Sequence, residues 1–300
     1  MEELYILPFD HRGTFTKMFG VNERELNQEK TNMLADYKHV IFEAFLKSLQ
    51  MGVPKEKSAI LVDEQFGAKI HEEAHAQNIT HILTIEKSGQ DEFDFEYGDK
   101  FAEHIEKFKP EYVKVLVRYN PANDSILNER QCQRLKTVSD FCKSSGYKFL
   151  FELLAIATPA QLSQVGGDQD KYEQTLRWQV MVDSIKEIQS RDIEPDIWKI
   201  EGLNDLTQMQ AVVETARGGG RTEVGVVVLG RGESEEKVKV WLSVAAKIPG
   251  VVGFAVGRTV FKQPLIDLYQ AKISRDAASQ KIAENFKSFV DLFINSKNSD

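Results

Sequence analysis

Residues 196–203 read DIWKIEGL, an apolar strand-like run that carries an ammonium at Lys199 and closes on the carboxylate of Glu201. Continuous apolar strands are the mark of a parallel sheet covered on both faces, so this run predicts a strand with its neighbours packed above and below. A lysine inside such a run needs a cause. Desolvation favours the neutral amine, which suits attack on a carbonyl carbon and formation of a Schiff base. The structural alternative is a buried stem whose head reaches solvent or pairs with a carboxylate such as Glu201.

Seven further runs of the same kind lie on either side: YILPFD (5–10), SAILVD (58–63), HILTIE (81–86), YVKVLV (112–117), YKFLFELL (147–154), VGVVVL (224–229) and VVGFAV (251–256). The stretches between them carry helical periodicity, as in Leu34, Tyr37, Ile41, Ala44, Phe45 and Leu49, or Val238, Trp241, Leu242 and Ala245. Eight strand-and-helix units of about 37 residues each predict one α/β domain over 1–300, a single (β/α)8 TIM barrel. The competitor is a doubly wound open sheet, but no G-x-G-x-x-G follows the first strand or occurs elsewhere. Pro54, Pro110 and Pro195 stand at helix-to-strand passages, and Gly218–Gly220 mark the stop of the sixth crossover helix. A helical pattern runs from Pro264 to Phe293, with a polar tail expected to fray from about 295. The acidic, aromatic segment 89–99 reads as a lid or as a solvated connection.

Composition narrows the partners. With 46 acidic against 38 basic residues the net charge is −8, which gives no attraction to nucleic acid or anionic membranes. No apolar run approaches the ~20 residues that span a bilayer. The N-terminal stretch has no signal-like pattern and Cys132 and Cys142 are the two cysteines, which together predict a cytoplasmic protein. HEEAH (71–75) formally matches a zinc-binding helix, yet it follows the second strand and reads as the solvated face of an outer helix. No metal and no cofactor are expected.

A barrel puts its chemistry at the C-terminal ends of its strands. The polar residues collected there are Asp10, His11 and Arg12 after the first strand, Asp63 after the second and Glu86 after the third. Lys114 and Arg118 lie on the fourth, Glu152 on the fifth, and Lys199 and Glu201 on the sixth. Period two sends Lys114, Leu116 and Arg118 inward, likewise Leu150 with Glu152, and Ile197 with Lys199 and Glu201, while Trp198 and Ile200 face the helices. Two inward lysines beside an inward glutamate suit carbonyl chemistry, or else a neutralised interior network. Gly230, Arg231 and Gly232 leave the seventh strand, and Gly257 and Arg258 the eighth. Glycine amides beside an arginine are a phosphate-binding pattern, and the alternative is tight turns with arginines paired to nearby acids.

PFDHRG (8–13), YVKVLVRYNP (112–121), FLFELL (149–154), DIWKIEG (196–202), LGRG (229–232) and GFAVGRTVF (253–261) form an ordered set over most of the chain. It resembles the class I tagatose-1,6-bisphosphate aldolase group, and more closely the aldolase-like domain fused to sugar kinases in myo-inositol catabolism. The resemblance implies a metal-independent lyase in which Lys199 forms the Schiff base and Glu152 transfers protons. It places Lys114, Asp10 and Arg12 in the substrate pocket and Arg258 at the phosphate. His11 stands where the bisphosphate aldolases often have glutamine. The implied substrate is a phosphorylated ketose or keto acid, with 2-deoxy-5-keto-gluconate 6-phosphate as the candidate for the inositol-pathway group, cleaved to dihydroxyacetone phosphate and malonate semialdehyde. A homo-oligomer or a separate sugar-kinase partner fits that reading. Another Schiff-base lyase or isomerase, or a non-catalytic sugar-phosphate-binding barrel, would retain parts of the same pattern.

Overall fold

A computed structural model describes residues 2–299, and among them eight strands close into one parallel barrel in sequence order. They are β1 (Leu4–Pro8), β2 (Ser58–Val62), β3 (Thr80–Thr84), β4 (Tyr112–Tyr119), β5 (Lys148–Ala155), β6 (Ile197–Glu201), β7 (Gly225–Leu229) and β8 (Val251–Ala255). Each coincides with one of the eight apolar runs, with ends moved by a residue or two. The fold is therefore the (β/α)8 barrel that the runs predict. β8 pairs with β1 through Leu4 opposite Gly253. A Cβ on Gly253 would lie 1.9 Å from the Leu4 carbonyl oxygen, so this close approach excludes any larger residue.

The strands are apolar throughout because they face two cores. Leu4, Ile6, Ala59, Leu61, Ile82, Leu150, Ile197 and Val227 fill the barrel interior. The alternate residues, among them Val113, Val115, Val117, Phe149, Phe151, Trp198 and Ile200, pack outward against the helices. Period two thus assigns β4, β5 and β6 as the sequence predicts. Local signals start the helices: Asn27, Asp63, Asp205, Ser234 and Ser274 each accept a backbone amide hydrogen bond in the first turn. Asp63, expected among the active-face acids, is spent on this cap and on a buried ion pair with Lys38.

The predicted C-terminal helical stretch is two helices, Arg258–Tyr269 and Arg275–Lys297, separated by a turn. The second packs along the helix Gln28–Gln50, with Arg275 on Asp36 and Glu43 and Lys47 on Asp276. Phe286, Phe289 and Phe293 are buried beneath it, each contributing roughly 1.5–3 kcal/mol. The polar tail expected from about 295 is instead helical through Lys297, whose ammonium lies 2.6 Å from Glu3. The β5 connection carries two additional short helices, Pro159–Gln164 and Gln169–Thr175.

His71 corrects the reading of HEEAH as a solvated face. It is fully buried against Phe108, with Nδ1 2.9 Å from Nδ1 of His81. A helix face is buried or exposed by what the barrel presents to it, which the local charge pattern does not report. Among the described residues no group of three or more His, Cys, Asp or Glu is arranged to hold a metal ion. No described helix is long and apolar enough to cross a membrane.

Candidate active site

A cavity of about 340 Å³ opens at the C-terminal end of the barrel. It gathers Asp10, His11, Arg12, Lys114, Arg118, Glu152, Lys199, Gly230, Arg231, Gly232, Gly257 and Arg258 from six of the strand ends. Of the residues collected at this face, Glu201 and Asp63 do not line it.

The floor of the cavity is a chain of alternating charges. β5 and β6 pair with Glu152 opposite Lys199, which brings Lys199 Nζ to 2.7 Å from Glu152 Oε2. The same oxygen is 3.0 Å from Lys114 Nζ on the other neighbouring strand. Lys114 also lies 2.7 Å from Asp10 Oδ2 and 2.7 Å from Glu86 Oε1. Thr84 Oγ1 donates to the other oxygen of Glu86. All five charged side chains are buried, so the arrangement depends on mutual compensation.

The two lysines differ in their company. Burial would release the Lys114 proton, but Asp10, Glu152 and Glu86 together outweigh it and push that pKa up. Lys114 stays an ammonium. Lys199 has a carboxylate within ion-pair distance on one side, Glu152, and its other side is open to the cavity. Burial would raise the carboxyl groups of Asp10 and Glu152, and the charges of Lys114 and Lys199 reverse this, holding both below the usual carboxylate range.

Several sequence expectations are corrected here. Glu201 is taken up beneath the rim: Oε2 accepts from the Ala155 amide at 3.1 Å, and Oε1 lies 3.0 Å from Arg231 and 3.4 Å from Arg177. It is not available to a ligand, nor does it partner Lys199. Arg231 likewise lines the cavity with its guanidinium engaged by Glu201 and, at 2.6 Å, by Glu173. Arg12 is held by Glu96 at 2.8 Å and by the Glu86 carbonyl, so it fastens the segment after β3 to the barrel. Gly230 offers no free amide, since its N–H donates to the Ala255 carbonyl at 3.3 Å.

Arg258, by contrast, has no carboxylate within 4.0 Å among the described residues, and burial lowers its pKa. Its Nη2 donates to the Arg231 carbonyl at 2.5 Å. Arg231 and Gly232 both adopt positive φ, and a Cβ on Gly232 would sit 2.5 Å from the Arg258 guanidinium carbon. Gly257 begins the helix Arg258–Tyr269 without a side-chain cap, and a Cβ there would meet the Pro8 carbonyl oxygen at 2.1 Å. Arg118 donates to the Gln90 carbonyl at 2.6 Å. The segment 89–99 is tied down further by Glu92 to Arg130 and Arg134, and by the Phe93 amide to Gln131.

Sequence reasoning collected Glu86 at this face but gave it no role, and it left Thr84 out of the site. Their signal was position, an acid just beyond a barrel strand with a hydroxyl two residues before it. The Arg177–Glu173–Arg231 cluster had no such signal, because it joins a short inserted helix to the β7 loop.

Residues 1–297 match the model of a family described as "Uncharacterized protein conserved in bacteria (DUF2090)". The chain belongs to this family. No curated protein matches this DUF2090 chain. Among solved structures, Cgl0159 of Corynebacterium glutamicum superposes with a TM-score of 0.56 at 14% identity, covering 95% of this chain and 86% of the other. A fructose-1,6-bisphosphate aldolase described as Schiff base forming gives 0.56 at 13%, covering 97% and 94%. The YdjI aldolase of Escherichia coli K12 gives 0.53 at 12%, covering 100% and 94%. At these identities the likeness is one of fold, and it places the DUF2090 chain among (β/α)8 barrels that include aldolases.

Proposed function

We propose that the protein is a class I, Schiff-base aldolase acting on a phosphorylated ketose or keto acid, with Lys199 as nucleophile and Glu152 as its proton-transfer partner. The observation that carries this reading is the contrast between the lysines. Lys114 is locked as a cation by three carboxylates, whereas Lys199 meets one, at 2.7 Å, and faces the cavity. The Schiff-base-forming fructose-1,6-bisphosphate aldolase of similar fold supports it by analogy.

In this mechanism Glu152 takes the proton that Lys199 must lose, and the amine adds to the ketone carbon. Glu152 returns a proton to the hydroxyl that leaves as water, and the iminium remains. The carbon–carbon bond then breaks with its electron pair moving toward the iminium nitrogen, and an aldehyde departs. Protonation of the enamine and hydrolysis release the ketone product and restore the lysine. Lys114 supplies a fixed positive charge beside the reacting hydroxyls, with Asp10 and Glu86 orienting it. Arg258 and the amides at Gly232 and Gly257 hold the phosphate, which keeps the ketone over Lys199. Arg231 supports that loop, and Arg118 attends the opposite wall.

Within this class the candidate reaction is cleavage of 2-deoxy-5-keto-gluconate 6-phosphate to dihydroxyacetone phosphate and malonate semialdehyde. A cytoplasmic setting and a separate sugar-kinase partner belong to the same proposal. Borohydride reduction in the presence of dihydroxyacetone phosphate tests the mechanism by intact mass and peptide mapping. A reduced adduct on Lys199, absent from Lys199→Ala, is expected. An adduct mapped to Lys114, or none despite phosphate-ester binding, overturns the assignment.

A further inference from the structure

The Schiff-base reading leaves one step without a base. Bond cleavage requires a group to take the proton from the hydroxyl on the carbon beyond the breaking bond, and the enamine carbon must later receive one. The three floor carboxylates are poorly suited. Each is paired to a lysine, which weakens Asp10 and Glu152 as proton acceptors, and Glu152 is already committed to the proton of Lys199.

His11 is the imidazole among the described residues that line the cavity. Its Nδ1 is buried, 4.0 Å from Asp10 Oδ1, and has no hydrogen-bond partner among the described residues. Nε2 is the ring nitrogen left with access to the cavity. The ring packs edge-on against Phe261, one turn along the helix that begins with Arg258. His11 thus stands between the anion-facing helix end and the Asp10–Lys114 pair.

Resting on the Schiff-base reading, we propose that His11 is a catalytic residue, the base and acid that moves the proton at the reacting carbon. The neutral imidazole takes the hydroxyl proton as the carbon–carbon pair moves to the iminium nitrogen, and an enamine and an aldehyde result. The imidazolium, stabilised by Asp10, then gives that proton to the enamine carbon. No proton is gained or lost over the cycle, and no other reactant is needed.

The charges around the ring make its basicity depend on the substrate. Burial pushes His11 down to about 4, with Arg258 and Lys199 adding to the effect and Asp10 and Glu152 opposing it. A phosphate dianion at Arg258 reverses the sign of the charge on that side and strengthens the base when a substrate is present. Phosphate binding then both anchors the ligand and prepares the proton acceptor.

The test uses dihydroxyacetone phosphate in D2O, where enamine formation exchanges a carbon-bound proton for deuterium, followed by NMR. Wild type, His11→Gln and His11→Asn are compared for this exchange and for borohydride trapping on Lys199. Trapping within about threefold of wild type and exchange slowed by about a hundredfold or more are expected, in line with loss of a general acid–base group. The exchange rate of wild type should fall with decreasing pH through a limb that both variants lack. Exchange within about threefold of wild type overturns the role. Parallel loss of trapping and exchange also overturns it, since the ring would then act before the enamine. If wild type traps no adduct, the Lys199 reading itself falls and the role of His11 falls with it.

Discussion

Replacing Lys114 with methionine removes the central charge of the cavity floor while keeping most of the buried stem. Three carboxylates then face the single ammonium of Lys199, with Asp10 and Glu86 losing contacts of 2.7 Å each. Breaking a buried pair by deleting one partner costs about 3–5 kcal/mol, and that is the loss expected at pH 8. The pH dependence follows from the signs. In wild type Asp10 and Glu152 are held below their unfolded values, so their contribution is complete above the unfolded pKa and is lost as pH falls through the folded one. Without Lys114, Glu152 keeps its pair with Lys199, while Asp10 loses its one direct lysine partner, so burial moves the folded Asp10 carboxyl above its unfolded value. The folded variant then binds extra protons as pH falls from 8 to 5, regaining up to about 1.4 kcal/mol per pH unit for each proton taken up. Urea unfolding followed by circular dichroism at both pH values measures this difference. A loss below about 1 kcal/mol at pH 8, or one that is as large at pH 5, would refute the charge-compensation argument.

Arg258→Ala should weaken binding of a phosphorylated ketose about 10- to 100-fold, since hydrogen bonds to charged groups contribute about 1.5–3 kcal/mol. Calorimetry should find that Arg231→Ala, whose guanidinium already serves Glu173 and Glu201, affects the unfolding midpoint more than affinity. For the cysteines, burial pushes Cys142 up to about 12 and also raises Cys132. Both should react with a thiol reagent at pH 8 at least about a hundredfold more slowly in the native protein than in urea, because the thiolate is the reactive form. Rapid labelling of either in the native state would contradict the packing described.

The strands and the inward set were legible because each depends on spacing within one short segment. Lys199 and Glu152 could be paired on paper, since period two turns both inward and neighbouring strands bring them into register. What escaped the sequence were the destinations of long, flexible side chains. Arg12 and Arg231 end on acids supplied by other elements, at Glu96, Glu173 and Glu201, and their identity as arginines said only that some anion would be found. His71 was misread for a related reason, because the ring that covers it, Phe108, belongs to the next helix along. Glu201 shows that facing inward is not the same as facing the cavity. At the last position of β6 it meets the β5 amide of Ala155 and the rim arginines.

The helix Arg275–Lys297 lies against elements from the other end of the sequence, reaching Glu3, Asp36 and Glu43. On a ribosome these partners emerge well before the segment that covers them. During that interval β1 lacks β8, and the Tyr5 ring lacks its contacts with Phe254 and Phe293. The nascent chain therefore carries an unclosed, apolar flank until β8 and this helix have been made, and that is the period in which a chaperone has something to hold.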